Sequence, residues 1–241
     1  MSLRRSLFSQ KLVASTLVAL FSSAMGFSLI SLKAQAQGFE KPTGSSRSGG
    51  VRGECFVADK ERPLRALVDE SNPALTTQEN PTLLFYSPFG EPASGILEDG
   101  KSVPSKVEFE LLNEEEESVL KKEKIVLSLP QQPGIVSLQI PSSEVRLEPN
   151  KEYFWIFRVI CDQDDLSANP SVAGWIKRVD SVSSSDVWFD RLDRILRSRV
   201  NNLENWTKFL EQFGIQDLAQ SSITELKPKA DGQLNTTENE L

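Results

Sequence analysis

Histidine is absent from all 241 residues of this chain. Both methionines, Met1 and Met25, lie close to the N-terminus. Without imidazole the chain cannot build a Ser-His-Asp or Cys-His nucleophile, nor a His-ligated zinc or copper centre. Beyond Met25 there is no thioether either, so the usual haem ligands are missing. Carboxylate catalysis, oxygen-ligated calcium or magnesium, or no chemistry at all are what remain. No cofactor fingerprint is present, so no cofactor, metal or catalytic residue is expected. Cysteine is scarce, with only Cys55 and Cys161. Positive charge is in deficit: 27 Lys and Arg face 34 Asp and Glu, a net charge of −7. Such a chain is repelled by phosphate backbones, which argues against nucleic-acid binding, and the same net charge disfavours an anionic lipid surface.

The N-terminus supplies what the composition does not. Arg4, Arg5 and Lys11 precede an uncharged stretch from Leu12 to Leu32, and Ala34-Gln35-Ala36 fits the small-x-small rule for signal peptidase. Residues 1–36 therefore read as a cleavable signal peptide for the general secretory route, with Gln37 as the first mature residue. The alternative is a retained anchor, since the uncharged run is long enough to span a bilayer. Cleavage removes Arg4, Arg5, Lys11 and Lys33 and no acid, so the −7 of the full chain becomes −11. No membrane span is expected after cleavage. The expected location is periplasmic or extracellular. In that oxidising setting two cysteines read as one disulfide, with a pair of buried thiols or a redox couple as alternatives. A bridge from Cys55 to Cys161 closes a loop of roughly 100 residues, worth up to about 4.7 kcal/mol in the chain-entropy model.

Residues 37–53 are rich in Gly and Ser and read as a flexible leader; residues 227–241 are polar and read as a disordered tail. Between them, residues 54–182 carry seven apolar runs separated by Pro, Gly, Asn and Ser. Residues 64–68, 82–86, 106–112, 124–129, 135–140, 153–161 and 172–179 are the expected strands. The pattern is that of an antiparallel β-sandwich of the immunoglobulin or fibronectin kind. Leu147-x-Pro149-x-x-x-Tyr153 has the spacing of a tyrosine corner, in which the Tyr hydroxyl bonds back to the upstream backbone. An ordinary Pro-Asn turn with a core tyrosine is the alternative.

Residues 183–226 change to helical spacing, with Leu192, Leu196, Leu203, Trp206, Leu210 and Phe213 on one stripe. Ser183-Ser184-Ser185 is the expected cap, Asn201-Asn202 the expected break, and Gly214 the expected terminator; a short helix follows at 217–221. Asp190/Arg194, Asp193/Arg197 and Glu204/Lys208 are spaced as i,i+4 ion pairs.

Four features invite a functional reading. Asp162-Gln163-Asp164-Asp165 with Asn169 offers oxygen ligands for calcium, or a solvated turn. Glu114 to Glu117 reads as a charged hairpin loop, with a functional acidic patch as the alternative. Trp175 and Trp188 are candidates for a partner or glycan-stacking surface, or for sealing the helices onto the sheets. Paired acids across a cleft would allow glycoside hydrolysis.

Several segments together carry a resemblance. They are Arg52-Gly53-Glu54-Cys55, Pro81-Thr82-Leu83-Leu84-Phe85-Tyr86, Gly134 to Leu138, the Leu147 to Tyr153 turn, Ile160-Cys161-Asp162, Ser167 to Pro170 and Gly174 to Val179. With the Trp206 to Leu210 helix, they make residues 52–226 resemble a cyanobacterial family of exported proteins, domain of unknown function 928. The resemblance implies a cyanobacterial source and an envelope or extracellular site. It implies no activity and carries over no catalytic residue. The expected role is a non-enzymatic protein-binding or scaffolding module of the cell envelope, its partner an envelope protein. A glycan-binding module is the alternative, ahead of a carboxylate-dependent hydrolase.

Overall fold

The computed structural model describes residues 44–47, 55–69, 72–90, 103–104, 106–180 and 187–229. All belong to one compact unit, Lys41–Leu241. The expected signal peptide, most of the leader, the Ser183 to Ser185 cap and residues 230–241 lie outside the described residues.

Nine strands form two sheets. In chain order they are β1 (Arg65–Ala66), β2 (Ala74–Thr76), β3 (Thr82–Ser87), β4 (Lys106–Leu112), β5 (Ile125–Leu127), β6 (Gly134–Gln139), β7 (Glu152–Ile160), β8 (Ser171–Arg178) and β9 (Thr224–Glu225). The four-stranded sheet runs β1-β3-β6-β9 and the five-stranded sheet β2-β8-β7-β4-β5. All seven expected runs are strands. The expectation of a purely antiparallel arrangement is corrected: β2 pairs with β8, and β9 with β6, in parallel. Both are strands of two or three residues that no alternating run announces. The chain reaches them by long excursions, which permit parallel pairing where a tight hairpin would not.

The sheets meet through aromatic rings. Phe85 of β3 stacks on Phe157 of β7 at 4.0 Å and meets Trp155 edge-on at 5.8 Å. Trp155 is fully buried because β8 carries Gly174 opposite it; a Cβ at that position would lie 2.6 Å from the indole. Asn150 takes φ of 60°, a left-handed turn that Asn tolerates. The turn brings Tyr153 back so that its hydroxyl accepts the Glu148 N–H at 2.9 Å. The tyrosine corner is therefore formed.

Successive strand residues face opposite ways, so Leu84 and Tyr86 point away from Phe85, yet both are 2% exposed. Two helices, α1 (Trp188–Ser198) and α2 (Leu203–Glu211), form the layer on that side. Arg65, opposite Tyr86 in register, donates to the Phe213 carbonyl at 2.7 Å and lies over the Phe213 ring at 4.9 Å. Trp188, Phe209, Phe213 and Trp206 pack as one aromatic group within the helical layer. Asn202 breaks the two helices and caps the second by accepting the Asn205 N–H at 3.0 Å. Gly214, at φ of 70°, ends it with Ile215 N–H bonded to the Leu210 carbonyl. The short helix expected at 217–221 is a 3₁₀ turn at Gln216–Leu218.

Both ends of the described chain cross between the sheets. Ser46 accepts from Ala66 of β1 and Ser45 from Ala173 of β8. At the other side Leu226 donates to Ser137 of β6 and Lys229 to Val126 of β5. Residues 44–47 are thus not part of a free leader, and residues 227–229 not part of a free tail. Polarity marks both segments as free, but backbone hydrogen bonding at a sheet edge needs no apolar side chain.

Candidate functional site

Cys55 precedes β1 and Cys161 follows β7, and the two are joined by a disulfide with Cα atoms 5.5 Å apart. A few residues after Cys55 the chain enters a polar group that joins three segments of the fold. The Tyr86 hydroxyl donates to Asp59, whose neighbour Arg62 reaches Asp217 at 2.7 Å and lies over the Tyr86 ring. Burial raises the Tyr86 phenol above its ordinary range, and the Asp59 carboxylate adds to this. For Asp59, burial acts upward, but the Tyr86 hydrogen bond and nearby Arg62 bring it below its usual value. These shifts describe a phenol held neutral and a carboxylate held charged, a joint between the segment before β1, β3 and the 3₁₀ turn.

A second group docks α1. Asp190 in its first turn accepts from Thr76 Oγ1 and Thr77 N–H, each at 3.1 Å, and from the Thr77 hydroxyl. Asp190 is thereby taken from the ion pair expected with Arg194. The other two expected helical pairs are formed, Asp193 with Arg197 at 2.9 Å and Glu204 with Lys208 at 2.7 Å. A third group lies on the outer face of the five-stranded sheet. Glu108 is 2% exposed and sits between Lys106 at 2.9 Å and Lys124 at 2.8 Å. Arg158 pairs with Glu110 at 2.6 Å, and Lys177 with Glu152 at 3.1 Å. Arg178 donates to the Leu147 carbonyl at 2.6 Å, tying β8 to the tyrosine-corner loop.

The two tryptophans singled out in the sequence are not surface residues. Trp175 is 4% and Trp188 3% exposed, so neither offers a ring face for a sugar. Trp175 packs on Phe154, and Trp188 lies between Phe209, Phe213 and the Arg191 guanidinium. The expected partner or glycan surface at these positions is corrected: large rings next to helix and strand partners bury themselves. For Trp188 the alternative of sealing the helices holds.

The Asp162 to Asn169 loop is a turn. Asn169 accepts from Cys161 and Asp162 N–H groups and donates to two carbonyls. Asp162 accepts from Asp164 and Asp165 N–H, and Asp165 from Ser167, whose hydrogen bonds lower its pKa. The carboxylates thus serve their own backbone. Among the described residues, no cluster of three or more acidic or cysteine side chains is placed to hold a metal. The Glu114 to Glu117 segment is an exposed loop between β4 and β5, folded around Asn113 Oδ1, which accepts from Glu115 and Glu117 N–H. A shallow cavity of about 200 Å³ lies between Gly90, Pro104, Leu129, Pro130 and Lys229, smaller than a pocket for a drug-sized ligand.

The family model described as Domain of Unknown Function (DUF928) matches residues 47–185, more than half of the chain. The chain belongs to this family. The match covers β1 to β8 and stops before α1, a narrower span than the 52–226 suggested by the motifs. No curated protein and no solved structure shows a significant match to the chain. What sequence reasoning missed are the joints: Asp59 with Tyr86, Asp190 with Thr76 and Thr77, and Lys106-Glu108-Lys124. The last alone left a trace, as charges of opposite sign two residues apart on one strand face. No helix among the described residues is long and apolar enough to cross a membrane.

Proposed function

We propose that this DUF928 protein is an exported, non-enzymatic binding or scaffolding module of a cyanobacterial cell envelope. In this reading the two sheets form an immunoglobulin-like sandwich, a scaffold that presents loops and helices to a partner protein. The observation that carries it is where the charge is spent. Asp59, Glu108, Glu110, Glu152, Asp190, Arg65 and Arg178 each join two segments of the fold. Among the described residues, the carboxyl groups of Asp59, Glu108, Asp165 and Glu204 are held below their ordinary range by the groups that hydrogen-bond to them. A hydrolytic general acid needs the opposite, a carboxyl raised toward neutrality. The Cys55–Cys161 bridge and the signal pattern of residues 1–36 support export.

Cross-linking in intact source cells, followed by fractionation, tests both halves. The expected result is an oxidised protein, cut near residue 37, in the envelope or medium and cross-linked to a recurrent partner. Recovery from the cytoplasm with the N-terminus intact overturns export. Repeated failure to capture any partner overturns the binding role.

A further inference from the structure

We propose that the turn between α1 and α2 docks on an anionic phospholipid surface. This goes beyond the envelope-module reading and depends only on the distribution of charge and apolar side chains at that turn. The chain carries −7 overall, but residues 188–211, the two helices and their turn, hold five Lys and Arg against four Asp and Glu. Their partners matter more than their count. Asp190 is turned inward onto Thr76 and Thr77, Asp193 is held by Arg197, and Glu204 by Lys208. Arg194 and Arg199 have no ion-pair partner among the described residues, and Arg194 is exposed. The last two turns of α1 therefore present cationic groups on an otherwise acidic protein.

Apolar exposure concentrates at the same place. Among the described residues only four large hydrophobic side chains are exposed, and two of them, Val200 at 81% and Leu203 at 42%, flank this turn. Val200 lies next to Arg199 and two residues before the Asn202 cap. Two aliphatic side chains at a helix-helix turn are too few for the core of a protein interface, which needs about 800 Å² on each partner. A headgroup layer makes no such demand. It accepts a few aliphatic groups into the acyl boundary while its negative charge attracts nearby arginines. The acidic remainder of the molecule is repelled from the same surface, which orients the helical turn toward it.

Flotation with liposomes tests this, using purified protein lacking residues 1–36, so that the signal segment contributes nothing. Vesicles of phosphatidylcholine alone are compared with vesicles containing phosphatidylglycerol, at low and at high salt. Binding is expected to the anionic vesicles only, and to disappear at high salt. Each cationic side chain near such a surface is worth roughly a fivefold change in binding, so Arg194→Glu with Arg199→Glu is expected to weaken binding by at least about 25-fold. Val200→Ser with Leu203→Ser is expected to weaken it several-fold while leaving its salt dependence in place. These side chains hold no joint of the fold, and an unchanged melting temperature confirms that the variants are folded. Equal binding to neutral vesicles, no binding to anionic ones, or binding by the arginine variant at the wild-type level overturns the proposal. Capture of an acidic protein by this turn without vesicle binding overturns it too.

Discussion

Glu108 gives the sharpest test of how this fold uses charge. Its carboxylate is 2% exposed and accepts from Lys106 at 2.9 Å and Lys124 at 2.8 Å. Burial alone would raise its pKa; the hydrogen bonds from Lys124 and Lys106 outweigh that and hold it below the ordinary 4.5. Replacing Glu108 by Gln keeps the shape and removes the charge. A hydrogen bond to a charged group contributes about 1.5–3 kcal/mol, but the lysine side chains are 26% and 42% exposed and so partly screened. Halving the contribution of each bond and keeping some acceptance by the amide leaves a loss of about 2 kcal/mol. For a domain of this size that is a fall of roughly 4–8 °C in Tm.

The pH dependence separates this account from simple loss of packing. A carboxylate whose folded pKa lies below its unfolded one stabilises fully above the unfolded value, and that stability is lost as pH falls through the folded value. The wild type should therefore exceed Glu108→Gln by its full margin at pH 7. The margin should shrink as pH drops below about 4.5, where the unfolded carboxyl takes up a proton, and be lost as pH falls through the lower folded value. Thermal unfolding followed by circular dichroism from pH 7 to pH 3 measures this. A margin that is constant across that range, or that widens in acid, refutes the reasoning.

Other joints make separate predictions. Replacing both Cys55 and Cys161 by Ser should cost about 2–5 kcal/mol, read from urea unfolding with and without reductant; a loss below 1 kcal/mol would show that the bridge constrains little. Asp190→Ala removes three accepted hydrogen bonds at the start of α1 and should cost about 2–3 kcal/mol. Hydrogen exchange should then rise in α1 while β7 and β8 stay protected, and uniform loss of protection would contradict a local dock. Tyr153→Phe deletes only the hydroxyl that accepts from Glu148 and should cost about 1 kcal/mol in chemical denaturation.

The sheets were legible because strand period and turn chemistry are local. Val107, Phe109 and Leu111 of β4 alternate with Glu108 and Glu110, and the alternation survives as an inner and an outer face. Tyr153 was legible for the same reason, since a fixed spacing from Leu147 places its hydroxyl. β2 and β9 were not, because two or three residues carry no period and their pairing is set by where the chain returns. Val187, rather than a serine, stands before α1 and makes no side-chain cap bond; the first turn is held instead by Asp190 docking onto β2, a contact 114 residues apart in sequence. The tryptophans show the limit most plainly. Aromatic content alone does not separate a sugar platform from a seal, and the burial that decides it comes from neighbours distant in sequence.

The family match has a physical consequence for where the domain ends. Residues 47–185 contain β1 to β8 but neither helix nor β9. Leu84, Tyr86 and Ile135, each no more than 2% exposed, lie on the face of the four-stranded sheet that bears Arg65. In this chain that face meets the helical layer through Arg65 and Phe213. Cut at 185, the sheet would expose those three side chains together with the unpaired edge of β6, and exposed apolar edges and faces promote aggregation. The cut would also remove Asp217 from Arg62 and Asp190 from Thr76 and Thr77. The physical domain of this chain therefore runs at least from Gly44 to Lys229. The helical layer is part of its core and not an appendage to it.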